Sequence, residues 1–373
     1  MAGHPRPRIA IVTGGGDAPG LNTVIRAVVR AAAQRRWETI GILGGFEGLI
    51  PPVNTRPLEV ADMDALLFRG GTVLGTASRG RFTDRAPTGG RRHVDERVVA
   101  RAARSARRMG IEALICIGGD GSLRIAQALS RAGVPVVGVP KTIDNDLPGT
   151  DTTFGFQSAV AVAVDALDRL ASTAESHQRV MVLEVMGHHA GWIAAHAGVA
   201  GGAHVVLIPE IRFHWEAIAQ TVEARWRAGH THTLIVAAEG ARAAGGRYVM
   251  RSGRGGHRGE RRLGGIGPRI AVEVEQRTGR EARAMTLGHL QRGGAPIPWD
   301  RQLCTRYGVA AVEAVAAGQL GTMIALRGSA ILPVPLSAGV GRIRTVPVDG
   351  ELVRSARAIG ISFGDEPVPS ADG

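Results

Sequence analysis

Four short segments carry residue types at spacings suited to chemistry on phosphate. Lys141-Thr142-Ile143-Asp144-Asn145-Asp146 sets an ammonium beside two carboxylates. That lysine is the only one in the chain, against 44 arginines. Lys offers a compact point charge on a flexible stem where Arg offers a rigid planar fork, so a retained lysine marks a place where phosphate and metal meet; survival by chance under codon drift explains it equally well. Of the two aspartates, one would polarise a hydroxyl and the other would hold that neighbour or the metal. Gly118-Gly119-Asp120-Gly121-Ser122 frames a carboxylate with glycines. Magnesium is commonly held by one or two carboxylates plus substrate phosphates, which Asp120 could serve; the rival role is a cap on the following helix. Gly14-Gly15-Gly16-Asp17-Ala18-Pro19-Gly20 has neither GxGxxG spacing nor a terminal Gly-Lys-Ser/Thr. Its backbone N–H groups, freed by glycine just before a helix, still form a phosphate cradle, although a tight structural turn accounts for one such loop almost as well. His289 and Arg292, three apart, stand downstream of Arg283 and suit a phosphate monoester. Glu239, closing an apolar run, is placed to accept sugar hydroxyls. Phosphoryl transfer asks chiefly for positioning and neutralisation of developing charge, and these segments meet that need together.

The elements that position them alternate. Apolar runs at 9–13, 39–43, 113–117 and 135–139 read as strands, with helical patterns at 23–36, 98–109 and 123–131 between them. The same grammar continues with helices at 159–175, 191–200, 215–228, 267–277 and 309–317 and strands at 179–184, 205–208 and 233–238. Unbroken apolar strands alternating with helices predict parallel sheets covered on both faces. The number of units predicts two α/β lobes, with ligands beyond the carboxyl ends of the strands, where the glycine and aspartate segments fall. Residues 241–262 break the pattern: Arg242, Arg247, Arg251, Arg254, Arg258, Arg261 and Arg262 stand among glycines without an apolar period. An exposed mobile loop or lid is the expectation there.

Composition narrows the class. With 373 residues and 44% apolar content the chain can bury a large core. Its net charge of +12 suits small phosphorylated anions or nucleic acid. Aromatics at 4% leave few stacking platforms for single strands, and no helix-turn-helix or finger pattern is present, so no specific nucleic-acid partner is expected. Cys116 and Cys304 make neither a disulfide framework nor a zinc site. No stretch of eighteen apolar residues and no signal-peptide core is present, so no membrane association and a cytoplasmic location are expected.

In their order and spacing, GGDAPGLN (15–22), GGDGS (118–122), PKTIDND (140–146), SHQRV (176–180), EVMG (184–187), the strand end at Glu239, and LGHLQRGG with PxPxDR (287–301) resemble the 6-phosphofructokinase family over about residues 9–313. The resemblance implies two Rossmann-like three-layer lobes with mostly parallel sheets. Residues 1–155 plus about 291–341 would form the larger lobe, for phosphoryl donor and Mg²⁺; about 156–290 plus 342–373 would form the smaller, for sugar phosphate. It implies phosphorylation of fructose 6-phosphate to fructose 1,6-bisphosphate, the committed step of glycolysis, with ATP and Mg²⁺. Pyrophosphate as donor is one alternative; a weakly active or inactive regulatory subunit is another.

By position, the family implies Asp144 as the base that activates the 1-hydroxyl, with Thr142 and Asp146 in support, Lys141 on the transferred phosphate and Asp120 on the metal. Gly15, Gly16, Arg79, Gly119, Gly121 and Ser122 would meet the donor. Thr142, Met186, Gly187, His188, Glu239, His289 and Arg292 would hold the sugar phosphate. Arg179 and Arg283 match arginines that reach across a subunit boundary, which implies a homodimer or homotetramer. Three positions depart from a single family pattern. Gly121 matches ATP users, whereas Lys141 matches pyrophosphate users. His188 stands where the family has arginine. Ser78 takes the place of another, with Arg79 next to it.

Overall fold

The computed structural model describes residues 6–77, 80–83, 93–252 and 261–366. The elements begin with β1 (Arg8–Thr13), α1 (Leu21–Gln34), β2 (Glu38–Ile42), β3 (Thr55–Pro57), α2 (Glu96–Arg108), β4 (Ala113–Gly118), α3 (Asp120–Arg131) and β5 (Val136–Pro140). Next come α4 (Phe156–His177), β6 (Val180–Val185), α5 (Trp192–Ala200), β7 (Val205–Leu207), α6 (Trp215–Arg227) and β8 (Thr233–Ala238). The last set is β9 (Met250–Ser252), β10 (Arg261–Leu263), α7 (Ile266–Thr278), β11 (Ala282–Thr286), α8 (Pro298–Ala316), β12 (Thr322–Arg327), β13 (Ala330–Pro335) and α9 (Glu351–Ala358).

The chain forms two compact units. The first comprises Met1–Ile143, Leu147–Ser158 and Arg292–Arg342; the second comprises Asp144–Asp146, Ala159–Gln291 and Ile343–Gly373. The first unit holds a sheet in the order β13-β12-β5-β4-β1-β2-β3. Its five central strands pair in parallel, and β13 and β3 close the edges antiparallel. Strand side chains alternate between faces, so Ile9 and Ile11 pack with Leu21, Val24 and Ile25 of α1 and Leu303 and Tyr307 of α8. Ala10 and Val12 pack instead with Val99 and Ala102 of α2 and Leu123 of α3. Three layers result. Each of the large aliphatic side chains buried this way contributes roughly 1.5–3 kcal/mol. The second unit holds four parallel strands in the order β11-β6-β8-β7. Val182, Leu207, Ile235 and Ala237 of its sheet meet Ile218 and Val222 of α6 and Ile270 and Val274 of α7.

Three local readings of the sequence are corrected. Helix α3 begins at Asp120, not after Ser122, because Gly119 and not a side chain serves as its cap. Helix α8 begins at Pro298, well before residue 309. Proline is pre-organised for a first helical turn, and Gly308, just before the expected start, sits inside this helix where it crosses α1. A Cβ there would stand 2.6 Å from Ala27 Cβ and 2.9 Å from Val24 O. Within the basic stretch, β9 and β10 pair antiparallel with Arg262 opposite Arg251, so part of the expected loop is a two-stranded ribbon; Arg254 and Arg258 lie outside the described residues.

One buried carboxylate holds the entry to α4 in the first unit. Asp300, with no exposed surface, accepts from Gly155 N at 3.0 Å, Ser158 N at 2.8 Å and Ser158 Oγ at 2.6 Å. Burial raises its pKa, and the Ser158 hydroxyl and the two amides oppose that shift. Asp300→Ala would strand these donors, so chemical denaturation should show a loss of roughly 2–4 kcal/mol in unfolding free energy.

Candidate active site

In the first unit three loops leave neighbouring strands at their carboxyl ends. They follow β1, β4 and β5, which lie side by side in the sheet. Strand order reverses about β1, the position where ligands bind such sheets. The helices that follow the first two loops begin alike. Gly20 (φ 109°) precedes α1, Gly119 precedes α3, and neither receives a side-chain cap. The opening N–H groups of both helices are therefore left without intrahelical or side-chain acceptors, and the positive end of each helix dipole favours an anion there.

The glycines are required by contacts. Ser122 is buried with its Oγ between the ends of β1 and β4. A Cβ on Gly14 would come within 2.5 Å of that oxygen, and one on Gly118 within 2.3 Å of Ser122 Cβ. Gly121 differs: a Cβ there meets nothing within 4 Å, so the first turn of α3 opens to unfilled space. Lys141 is buried and its Nζ donates to Gly16 O. Arg292 Nη1 donates to Asp17 O at 3.1 Å and lies where a Cβ on Gly16 would intrude, at 2.9 Å. Two cations thus grip successive carbonyls of one loop. Thr76 Oγ1 braces it from the other side through Gly15 O at 2.7 Å; Ser78 and Arg79 lie outside the described residues. Thr142 is buried and its carbonyl accepts from Thr153 Oγ1 at 2.7 Å.

Asp120 is the first helical residue of α3. Its Oδ1 accepts from Gly341 N at 3.0 Å and Arg124 Nε at 3.1 Å, and its Oδ2 faces Arg124 Nη2 at 2.9 Å. A carboxylate offers about four acceptor positions, so Oδ2 retains capacity for a cation, and the side chain is 35% exposed. Among the described residues no group of three or more His, Cys, Asp or Glu is placed to hold a metal. The donor set fits Mg²⁺ taken through one carboxylate oxygen with phosphate and water completing the shell.

The second unit presents its own strand ends. Asp144 and Asp146 flank Asn145, whose φ of 51° lies in the left-handed region. Met186 follows β6, and Glu239 follows β8, with its N–H on Val185 O at 2.8 Å. Gln291, which the sequence reading passed over, is buried; its Oε1 accepts from Met186 N at 2.8 Å and so fixes that backbone. Glu184, also buried, accepts from Gly265 N and Gly267 N at the head of α7. Gly187 adopts φ 140°, and Ala190 O lies 2.8 Å from where its Cβ would be. His289 is exposed on the 3-10 turn Gly288–Arg292. Arg283 Nη2 is on Glu281 Oε1, and Arg179 Nε takes Oε2 of the same carboxylate at 2.6 Å. These bonds, that of Arg179 foremost, hold the Glu281 carboxyl below its ordinary range.

His188 keeps an exposed edge, but its ring lies 3.9 Å from that of His189 and 6.2 Å from that of Tyr248, whose other neighbour is the Arg242 guanidinium at 4.1 Å. Desolvation, then repulsion from His189, pushes its pKa down to about 4. The imidazole is a neutral hydrogen-bonding group at pH 7, not a cation.

The phosphofructokinase family model matches residues 8–315. An ATP-dependent 6-phosphofructokinase of Chloroflexus aurantiacus is 53% identical over 97% of this chain and 99% of its own. A pyrophosphate–fructose 6-phosphate 1-phosphotransferase of Amycolatopsis methanolica is 48% identical over 91% of this chain and 96% of its own. The crystal structure of Pichia pastoris phosphofructokinase in the T-state superposes with a TM-score of 0.77 at 31% identity, over 90% of this chain; this chain spans 36% of that one.

The depressed histidines give a pH dependence. Burial lowers the pKa of His204 to about 3 and also lowers that of His196. Between these values and the ordinary 6.5, the unfolded chain binds more protons than the folded one, so stability falls as pH is lowered through that window. The urea midpoint should drop from pH 7 to pH 5, and His204→Gln should flatten the drop; an unchanged midpoint would refute the assignment.

Proposed function

Because the chain belongs to the phosphofructokinase family, we propose that it transfers the terminal phosphoryl group of ATP to the 1-hydroxyl of fructose 6-phosphate. The observation that carries this reading is the pair of glycine-capped helix starts after β1 and β4, with the open first turn of α3 at Gly121. The N–H groups of Gly16, Gly119, Gly121 and Ser122 receive the donor phosphates, and Gly15, whose own N–H is on Ala77 O at 3.2 Å, shapes the turn that presents them. Lys141 and Arg292 hold the loop and add positive charge beside it. Mg²⁺, taken by Asp120 when bound, neutralises charge on the phosphate chain. Asp144 accepts the proton of the 1-hydroxyl as its oxygen bonds to phosphorus; the bond from that phosphorus to the bridging oxygen breaks and ADP departs. Asp146 and Thr142 support Asp144. Met186, Gly187, His188, Glu239, His289 and Arg292 receive the sugar phosphate, with Arg179 and Arg283 serving a partner subunit in a homodimer or homotetramer. A glycolytic role of this kind is cytoplasmic.

Lys141 supports a second reading, with pyrophosphate as donor, and one relative of that activity is 48% identical. Gly121 favours ATP. An aspartate at that position would set a carboxylate against the nucleotide's α-phosphate, whereas glycine leaves the space open.

Fructose 1,6-bisphosphate formation should be measured with Mg²⁺ and either donor. We expect turnover with ATP, and Asp144→Asn should lower kcat by about 10²–10⁴-fold; turnover with pyrophosphate alone would overturn the donor assignment. Gly121→Asp fills empty space, so its unfolding free energy should stay within about 0.5 kcal/mol of wild type, while activity with ATP falls much more than activity with pyrophosphate. Equal loss with both donors would count against the role given to position 121.

A further inference from the structure

The turn bearing Asp144 and Asp146 is held by a residue far along the chain. Among the described residues, Asn145 at φ 51° is one of three non-glycine residues in the left-handed region. Such a conformation costs on the order of 1–3 kcal/mol and persists only where its surroundings over-determine it. Arg344 supplies two contacts to the turn. Its backbone N–H donates to Asp146 O at 2.8 Å, and its Nη1 donates to Asn145 O at 3.2 Å. Two successive carbonyls of the turn are thus taken by one residue.

Arg344 is itself held. Its guanidinium carbon lies 4.4 Å from the centroid of the Trp192 ring, and Trp192 Nε1 donates to Arg344 O at 3.0 Å. Two residues on, Val346 N donates to Glu210 Oε1 at 2.8 Å. The same carboxylate accepts from Gly191 N, at the head of α5, at 3.0 Å. The segment 344–346 is therefore fastened to α5 and its approach at two points and to the turn at two more. A planar guanidinium can lie on an indole face and still donate in its own plane; an ammonium cannot reproduce that combination.

We propose that Arg344 is a positioning residue that sets the backbone of Asp144–Asp146 and hence the aim of the Asp144 carboxylate. The kinetic part of this proposal rests on the reading of Asp144 as the base; the structural part does not. The test uses the full chain with Arg344→Met, Arg344→Ala and Arg344→Lys, and with Arg342→Met as an exposed neighbouring control. Peptide-resolved hydrogen exchange should be faster over 143–147 in Arg344→Met and unchanged over 233–238. In steady-state assays kcat should fall about 10²-fold with KM for ATP unchanged, and added guanidinium ion should restore part of kcat to Arg344→Ala and none to wild type. Exchange over 143–147 equal to wild type would overturn the proposal, as would a fall in KM terms alone. If Arg344→Met unfolds throughout, Arg344→Lys decides: a local rise over 143–147 supports the proposal, and wild-type exchange there overturns it. A wild-type protein inactive with both donors would refute the proposed function and leave the exchange result to decide the role of Arg344.

Discussion

Much of the first unit follows from one constraint: backbone N–H groups at the starts of α1 and α3 must stay bare. Glycine occupies both cap positions, so no Cβ and no capping side chain stands between those N–H groups and an anion. The demand propagates into packing. Ser122 can sit between the ends of β1 and β4 only because Gly14 and Gly118 lack side chains. At Gly20, a Cβ would stand 2.5 Å from Cys304 Sγ, so the same residue that frees the helix start also lets α8 approach it. Cradle and core are therefore shaped by the same few residues.

A bare loop needs other support, and cations provide it. Lys141 and Arg292 take loop carbonyls, Arg344 takes those of the Asp144–Asp146 turn, and Arg124 and Arg179 hold carboxylates. Arginine suits such work because its fork binds two acceptors at fixed geometry. Part of the net charge of +12 thus acts inside the fold as bracing for strand-end loops. Ion pairs at partly exposed positions such as Arg179–Glu281 contribute little stability by themselves; their importance lies in orientation.

The alternation of strand and helix was legible because parallel strands buried on both faces are unbroken apolar runs, and the residues with chemistry stood visibly at their ends. Helix starts were less legible. Asp120 and Gly121 read as loop because glycine is a poor helix former in general, although a first turn tolerates it. Gly308 concealed the true length of α8 for the related reason that a close helix crossing, not a break, explains it. The ribbon β9–β10 carries no apolar period, since its pairing is backbone to backbone. Gln291 lay within a quoted motif but offered no signal of its buried amide contacts. Arg344 offered none at all: it is one arginine of 44, in a segment without periodicity.

The separation of 199 residues between Asn145 and Arg344 has a consequence for synthesis. Residues emerge from a ribosome in order, and non-local contacts wait for the later partner. A nascent chain that has already released β5 and both aspartates still lacks the contacts that set their backbone until residue 344 is free. The glycine cradle waits as well, since Lys141 braces Gly16 from 125 residues away and Arg292 braces Asp17 from 275. Neither the braced cradle nor the backbone geometry from which a proton would be taken is therefore complete until most of the chain has been released.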